Sequence, residues 1–238
     1  MGMVDQLTRA ADDGDATLVA RLLGEGVDAD APDSEGRTAL DLAVRRGHAD
    51  VVRLLIAAGA DPEQRTGEYQ ESTPLCLASM HGHTAVVRAL LDAGVHTGAQ
   101  GRMGHAPLVL AATTGDEGHP ETVDLLLDHG AHINAVMKDR TPLDWAVWFG
   151  QVPMVQQLLD RGATPTVKTL TTAHERSERH PESRHNYERI IDALLAAAPP
   201  THTDPTIRHA YDQETGRAPH RQTCAVGKGQ LPRFRPRG

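Results

Sequence analysis

The stretch Gly36–Asp61, GRTALDLAVRRGHADVVRLLIAAGAD, decides the fold. Thr38 can cap a helix through its hydroxyl, and Leu40, Ala43 and Val44 follow at the i, i+3, i+4 spacing of one apolar helical stripe. Gly47 stops that helix, because the left-handed position past a helix end suits a residue without a Cβ. A second stripe runs through Val51, Val52, Leu54, Leu55 and Ile56 until Gly59 ends it in the same way. Two such short helices are marginal in water and cannot bury both faces alone, so the unit requires neighbours stacked on it.

The neighbours are in the chain. Closing glycines recur at Gly26, Gly59, Gly94, Gly130 and Gly162, at intervals of 33, 35, 36 and 32 residues. Helix starts recur at Thr38-Ala39-Leu40, Thr73-Pro74-Leu75, Ala106-Pro107-Leu108 and Thr141-Pro142-Leu143, at intervals of 35, 33 and 35. Gly-His follows the first helix at Gly47-His48, Gly82-His83 and Gly118-His119, with Gly150-Gln151 in the fifth copy.

These motifs resemble the ankyrin repeat family, whose unit opens on T-P-L-H-x-A and turns through G-H into its second helix at a period near 33. The resemblance implies an all-α solenoid of helix-turn-helix units joined by short β-hairpin loops, spanning residues 1–200. Its units fall at about 4–31, 32–64, 65–99, 100–135, 136–166 and 167–198. The first lacks the T-P-L start and reads as a solubilising cap. The third carries extra residues at 67–71, and the fourth has about three more within 115–118. The sixth is degenerate, with a polar run from His174 to Arg189 expected as a cap surface with a stretched loop around Pro181. The family histidine after T-P-L is replaced by Asp41, Cys76, Val109 and Asp144, so its hydrogen bonds do not transfer.

Residues 201–238 read as a disordered, proline-containing tail with seven basic and three acidic side chains, net +4. That leaves −12 for the rest of a chain whose total is −8. Arg233-Phe234-Arg235-Pro236-Arg237 could touch nucleic acid, weakly and with steep salt dependence, which makes nucleic-acid recruitment the alternative function.

Composition narrows the classes further. With 39% apolar but only 3% aromatic residues, the core must be built from Leu, Val and Ala, and no cofactor box is expected. Cys76 and Cys224 form neither a disulfide framework nor a metal pair, which fits a reducing cytoplasm. No apolar run approaches a membrane span. Arginine outnumbers lysine 21 to 3, a bias of GC-rich coding sequence that suggests a bacterial source. No nucleophile elbow, phosphate loop or HExxH is present; His174 and His180, six apart, point to different helix faces, so neither catalysis nor a metal site is expected.

What remains is surface. In the family, partners are held by the hairpin fingers and by a concave face to which the two variable residues before the inter-helix glycine contribute. Here those pairs are Asp12 and Asp13, Arg45 and Arg46, Met80 and His81, Thr113 and Thr114, and Trp148 and Phe149. Trp148, with Phe149 and with Trp145 a turn earlier, is expected to expose a large apolar anchor of the kind that dominates interfaces. The competing reading is that Trp145 and Phe149 seal the array against the sixth unit. Arg45 and Arg46 are expected to guide an acidic partner segment, unless they serve only the helix end. Tyr69 and Met103 are the anchors in the fingers. The expected function is a monomeric, non-catalytic module that binds another protein.

Overall fold

The computed structural model describes residues 2–64, 72–98, 104 and 106–197. Tyr69, Met103, the extra residues of the third unit and the 201–238 tail lie outside the described residues. The described chain forms six helix pairs: α1 (Met3–Asp13) and α2 (Ala16–Gly24), α3 (Ala39–Arg46) and α4 (Ala49–Ala57), α5 (Pro74–Met80) and α6 (Thr84–Asp92), α7 (Pro107–Thr113) and α8 (Pro120–Asp128), α9 (Pro142–Phe149) and α10 (Val152–Asp160), α11 (Val167–Arg179) and α12 (Arg184–Ala197). The odd-numbered helices pack on one another in order, α1 through α11, as an inner row. The outer row runs α2, α4, α6, α8, with α10 on α12. The fold is an all-α ankyrin-type solenoid.

Local sequence dictates the helix ends. The hydroxyls of Thr38, Thr73, Thr141 and Thr166 accept from the amides of Asp41, Cys76, Asp144 and Thr169 and so satisfy a first-turn donor in each case. Where Ala106 replaces the threonine, α7 starts without a side-chain cap and relies on Pro107. The core lies between the rows, with Leu40, Leu55, Leu75, Leu90, Leu108, Leu126, Leu143 and Leu158 among its fully buried side chains.

Two linkages repeat from unit to unit. In the first, a residue after the inter-helix glycine reaches back to a carbonyl at the end of the preceding inner helix. His48 Nε2 meets Asp12 O at 3.0 Å, His83 Nε2 meets Arg45 O at 3.1 Å and His119 Nε2 meets Met80 O at 3.2 Å. A carbonyl only accepts, so each bond requires the Nε2–H tautomer. Gln151 takes the histidine's place: with its amide oxygen turned to the Gly118 N–H (3.3 Å), it donates to Ala112 O at 2.9 Å. Tyr187 completes the series by donating its hydroxyl to Trp148 O at 3.4 Å. The imidazole passes over the preceding glycine, so at Gly82, with φ +67°, a Cβ would lie 2.3 Å from His119 Nδ1.

The second linkage ties the loops. Four residues past a closing glycine, an acceptor side chain receives the amide two residues past the next one. Asp30 accepts from the Asp61 N–H, Glu63 from the His96 N–H and Asn134 from the Thr164 N–H. Gly98 holds the corresponding place in the third unit and has no side chain to offer.

Two local departures from the repeat stand out, the first from inserted residues. The linker between α7 and α8 spans residues 114–119, with Gly115 and Gly118 both at positive φ. α8 is joined to α10 by long side chains: Gln157 donates to Pro120 O at 2.9 Å, and Arg161 pairs with Asp124 at 2.8 Å and with Asp128. At the sixth unit the polar run is helical where a stretched loop was expected. α11 continues to Arg179, and only His180 and a 3-10 turn, Pro181–Ser183, precede α12. Glu and Arg are good helix formers, so the polar run extends the helix as a solvated face, and Pro181 supplies the break.

Candidate functional site

The inner helices deliver their variable residues in register, because the carbonyl linkages pin the backbone at Asp12, Arg45, Met80 and Trp148. The side chains there are therefore not needed for that bond and differ from unit to unit. Arg45 and Arg46 are exposed, yet both have acidic partners within the chain. Arg46 forms a two-point pair with Asp12, Nε to Oδ1 at 2.7 Å and Nη2 to Oδ2 at 3.3 Å. The hydrogen bond from Arg46 holds the Asp12 carboxyl below its ordinary range and raises the arginine in turn. Arg45 contacts the buried Asp41 at 3.3 Å, one turn back on its own helix.

Met80 is half-buried and His81 exposed, with the His81 ring stacked on His83 at 5.6 Å. Burial first, then the nearby His83, Arg45 and His119, push the His81 imidazole below its usual 6.5. Thr113 and Thr114 turn their hydroxyls inward to Val109 O and Leu110 O, each at 2.7 Å.

The aromatic group differs from its expectation. Trp148 is only half-buried, but it does not offer a bare apolar face, because two guanidiniums lie against it. Arg140 Cζ is 4.4 Å from the Trp148 ring centroid and Arg176 Cζ is 4.5 Å. Arg140 also lies 5.4 Å from the Trp145 ring. Trp145 donates its indole N–H to Met137 O at 3.1 Å and stacks on Phe149 at 6.0 Å. Phe149 is 52% exposed, the only exposed residue among the phenylalanines, tyrosines and tryptophans described. The sixth unit meets the end of α9 through Arg176 against Trp148 and Tyr187 against Gly150.

Neither Arg140 nor Arg176 stood out in the sequence, the first lying in a finger and the second in the polar run. They are 36 residues apart, about one repeat, as Asp12 and Arg46 are 34 apart. Comparing charged residues one period apart would have revealed both pairs.

Asp144, in place of the family histidine, is 4% exposed and joins two units. It accepts the Thr141 N–H at 3.0 Å within its own capping box and the Thr169 hydroxyl at 2.6 Å from α11. Cys76 and Val109, at the equivalent places, are fully buried core residues. Among the described residues, no three metal-ligating side chains come together, and no helix is long and apolar enough to cross a membrane.

Stacked helix pairs with glycine-histidine turns and threonine-capped inner helices define a helical repeat protein. The family model for ankyrin repeats matches in three overlapping copies, residues 7–101, 59–137 and 95–169, and the chain belongs to that family. It is similar to palmitoyltransferase ZDHHC13 of Homo sapiens, 44% identical over 137 residues, 56% of this chain and 21% of that protein. It is also similar to the 2-5A-dependent ribonuclease of Mus musculus, 45% identical over 60 residues, 25% of this chain and 8% of that protein. A third relative is the inactive serine/threonine-protein kinase TEX14 of Mus musculus, 29% identical over 133 residues, 56% of this chain and 9% of that protein. The chain thus spans about a fifth or less of these curated relatives. Ankyrin repeats are non-catalytic modules that mediate protein–protein interaction.

Proposed function

We propose that this chain is a non-catalytic adaptor in a reducing compartment that grips one partner protein with the ends of its inner helices and the adjoining loops. The observation that carries the reading is Phe149, an exposed aromatic ring stacked on Trp145 at a position that the carbonyl linkage leaves out of the packing. An exposed phenyl ring beside half-buried tryptophans is typical of interfaces. Met80 and His81, at the equivalent places two units earlier, extend the same row. Repeat arrays of paired helices also lack the enclosed, convergent pocket that catalysis requires.

The test is affinity capture with the full chain and with a Phe149→Ser, Met80→Ser double variant, both shown to be folded by far-UV circular dichroism. The variant is expected to lose the main captured protein. An unchanged set of captured proteins sinks the assignment of this face.

A further inference from the structure

We propose that Arg140 and Arg176, held against Trp148, form a receptor for a carboxylate of an acidic segment in the bound partner. The inference rests on the protein-binding reading above and names the chemistry that the aromatic end of the face selects. Arg140 Nη1 and Arg176 Nε are buried N–H groups that meet no acceptor among the described residues. An unpaired buried donor attached to a cation is costly, and because both arginine side chains are only half-buried, it is the outer N–H groups of each guanidinium that a carboxylate can meet. Elsewhere in the array, Arg37, Arg46 and Arg161 are each matched by carboxylates of the chain itself. Two cations sharing one indole also repel each other, and an anion bound to both relieves the repulsion.

The site is preformed. Arg140 follows a two-residue turn in which Lys138 and Asp139 have φ of 51° and 59°. Left-handed backbone at two successive non-glycine residues persists only where its surroundings hold it. Here the bonds Met137 N–H to Arg140 O (2.9 Å) and Arg140 N–H to Met137 O (3.2 Å) close the turn. Trp145 is anchored on Met137 O, and Lys168 Nζ donates to Asp139 O at 2.7 Å, bringing a third cation beside the turn. The planar guanidinium fork matches a carboxylate at two points, and the stacking on Trp148 fixes its plane without using its N–H groups. Phe149 supplies exposed apolar surface beside it, so the favoured segment has an acidic residue next to an apolar one.

Trp145 and Trp148 are the two tryptophans of the chain, so indole fluorescence reports on this site directly. The full chain is titrated at low ionic strength with a blocked peptide of Glu and Leu, with its Gln and Leu counterpart, and with inorganic phosphate. The acidic peptide is expected to change the fluorescence saturably and the neutral one not. Arg140→Gln and Arg176→Gln are each expected to weaken binding about tenfold or more, given the strength of charge-assisted bonds. Arg161→Gln, at the end of α10 and matched by Asp124 and Asp128, is expected to leave it unchanged. Arg176 lies in the polar run of α11, so if Arg140→Gln fails to fold, Arg176→Gln decides.

The proposal is overturned if the acidic peptide gives no saturable change, if Arg176→Gln binds like the unaltered chain, or if Arg161→Gln weakens binding as much. It is also overturned if the neutral peptide binds equally well, or if phosphate alone binds more tightly than the peptide. Absence of peptide binding combined with partner loss in the Phe149, Met80 variant removes the carboxylate receptor and leaves the binding face. An unchanged capture removes the face.

Discussion

Replacing Asp144 with alanine is expected to loosen the last junction of the array by about 3 kcal/mol. Asp144 is 4% exposed, and its two oxygens serve two units, the Thr141 N–H of its own helix and the Thr169 hydroxyl of α11. Bonds to a charged group contribute about 1.5–3 kcal/mol each, and an orphaned buried donor costs about 1–3 kcal/mol. Thr169 keeps a contact with Thr166 at 2.8 Å after the change, which puts its share at the low end. Asp144→Asn retains one acceptor oxygen without the charge and is expected to cost about half as much. Urea unfolding followed by tryptophan fluorescence, with Trp145 and Trp148 in the affected unit, measures both variants. Because repeat units are stabilised chiefly by their neighbours, the fluorescence midpoint should fall further than the far-UV dichroism midpoint. A double-mutant cycle with Thr169→Val isolates the junction bond. The reasoning fails if Asp144→Ala costs less than about 1 kcal/mol, if Asn and Ala cost the same, or if the coupling to Thr169 is below about 0.5 kcal/mol.

Gly82→Ala and Gly94→Ala separate the histidine linkage from backbone conformation. Both sites have positive φ, 67° and 88°, but an added Cβ meets His119 at 2.3 Å in the first and nothing within 4 Å in the second. Gly94→Ala should cost about 1–2 kcal/mol in urea unfolding and Gly82→Ala measurably more, and equal costs would refute the role of the close approach. His81 sets a pH dependence whose sign follows from its lowered value. The unfolded chain takes up the proton first as pH falls through 6.5, so stability declines below that point and levels off below the folded-state value. Thermal midpoints of the unaltered chain and of His81→Gln, compared at pH 7.5 and 5.5, should differ by less at the lower pH for this group's contribution to hold.

The helices were legible because their determinants are local. Thr38, Thr73 and Thr141 each accept from an amide three residues on, and Gly47 follows α3 at φ 82°, all within one turn of the residues that signal them. The candidate site was legible only in position. Arg45 and Arg46 are exposed, but the partner of Arg46 is Asp12, one repeat back, where hydrophobic periodicity carries no information about charge. For the same reason the glycine-histidine turns looked like turns alone, although each imidazole binds a carbonyl 36 to 39 residues earlier. Trp148 holds one of the two variable positions before the inter-helix glycine, which alone suggest an exposed anchor, and the two guanidiniums that cover it come from the loop before α9 and from the next unit.

The same architecture explains why Arg140 and Arg176, at the end of the described array, lie against an indole. Where inner helices carry arginine beside a unit that offers an acid, the two neutralise each other across the junction, as Arg46 and Asp12 do. At α9 the variable residues are aromatic, so Arg140 and Arg176, one period apart, meet an indole in place of a carboxylate. An indole holds a cation by its π face and accepts no N–H from it in the ring plane, leaving the solvent-facing N–H groups of each half-buried guanidinium available. Residues 1–200 carry a net charge of −12, which opposes the approach of an acidic partner at long range. Selection of such a partner must then come from short-range geometry, and raising the salt concentration has two opposed effects on it, screening the general repulsion and the local attraction alike. Binding through Arg140 and Arg176 should therefore respond to salt less steeply than the charge of the peptide alone implies, and a steep decline would point to attraction by the basic residues of 201–238 instead.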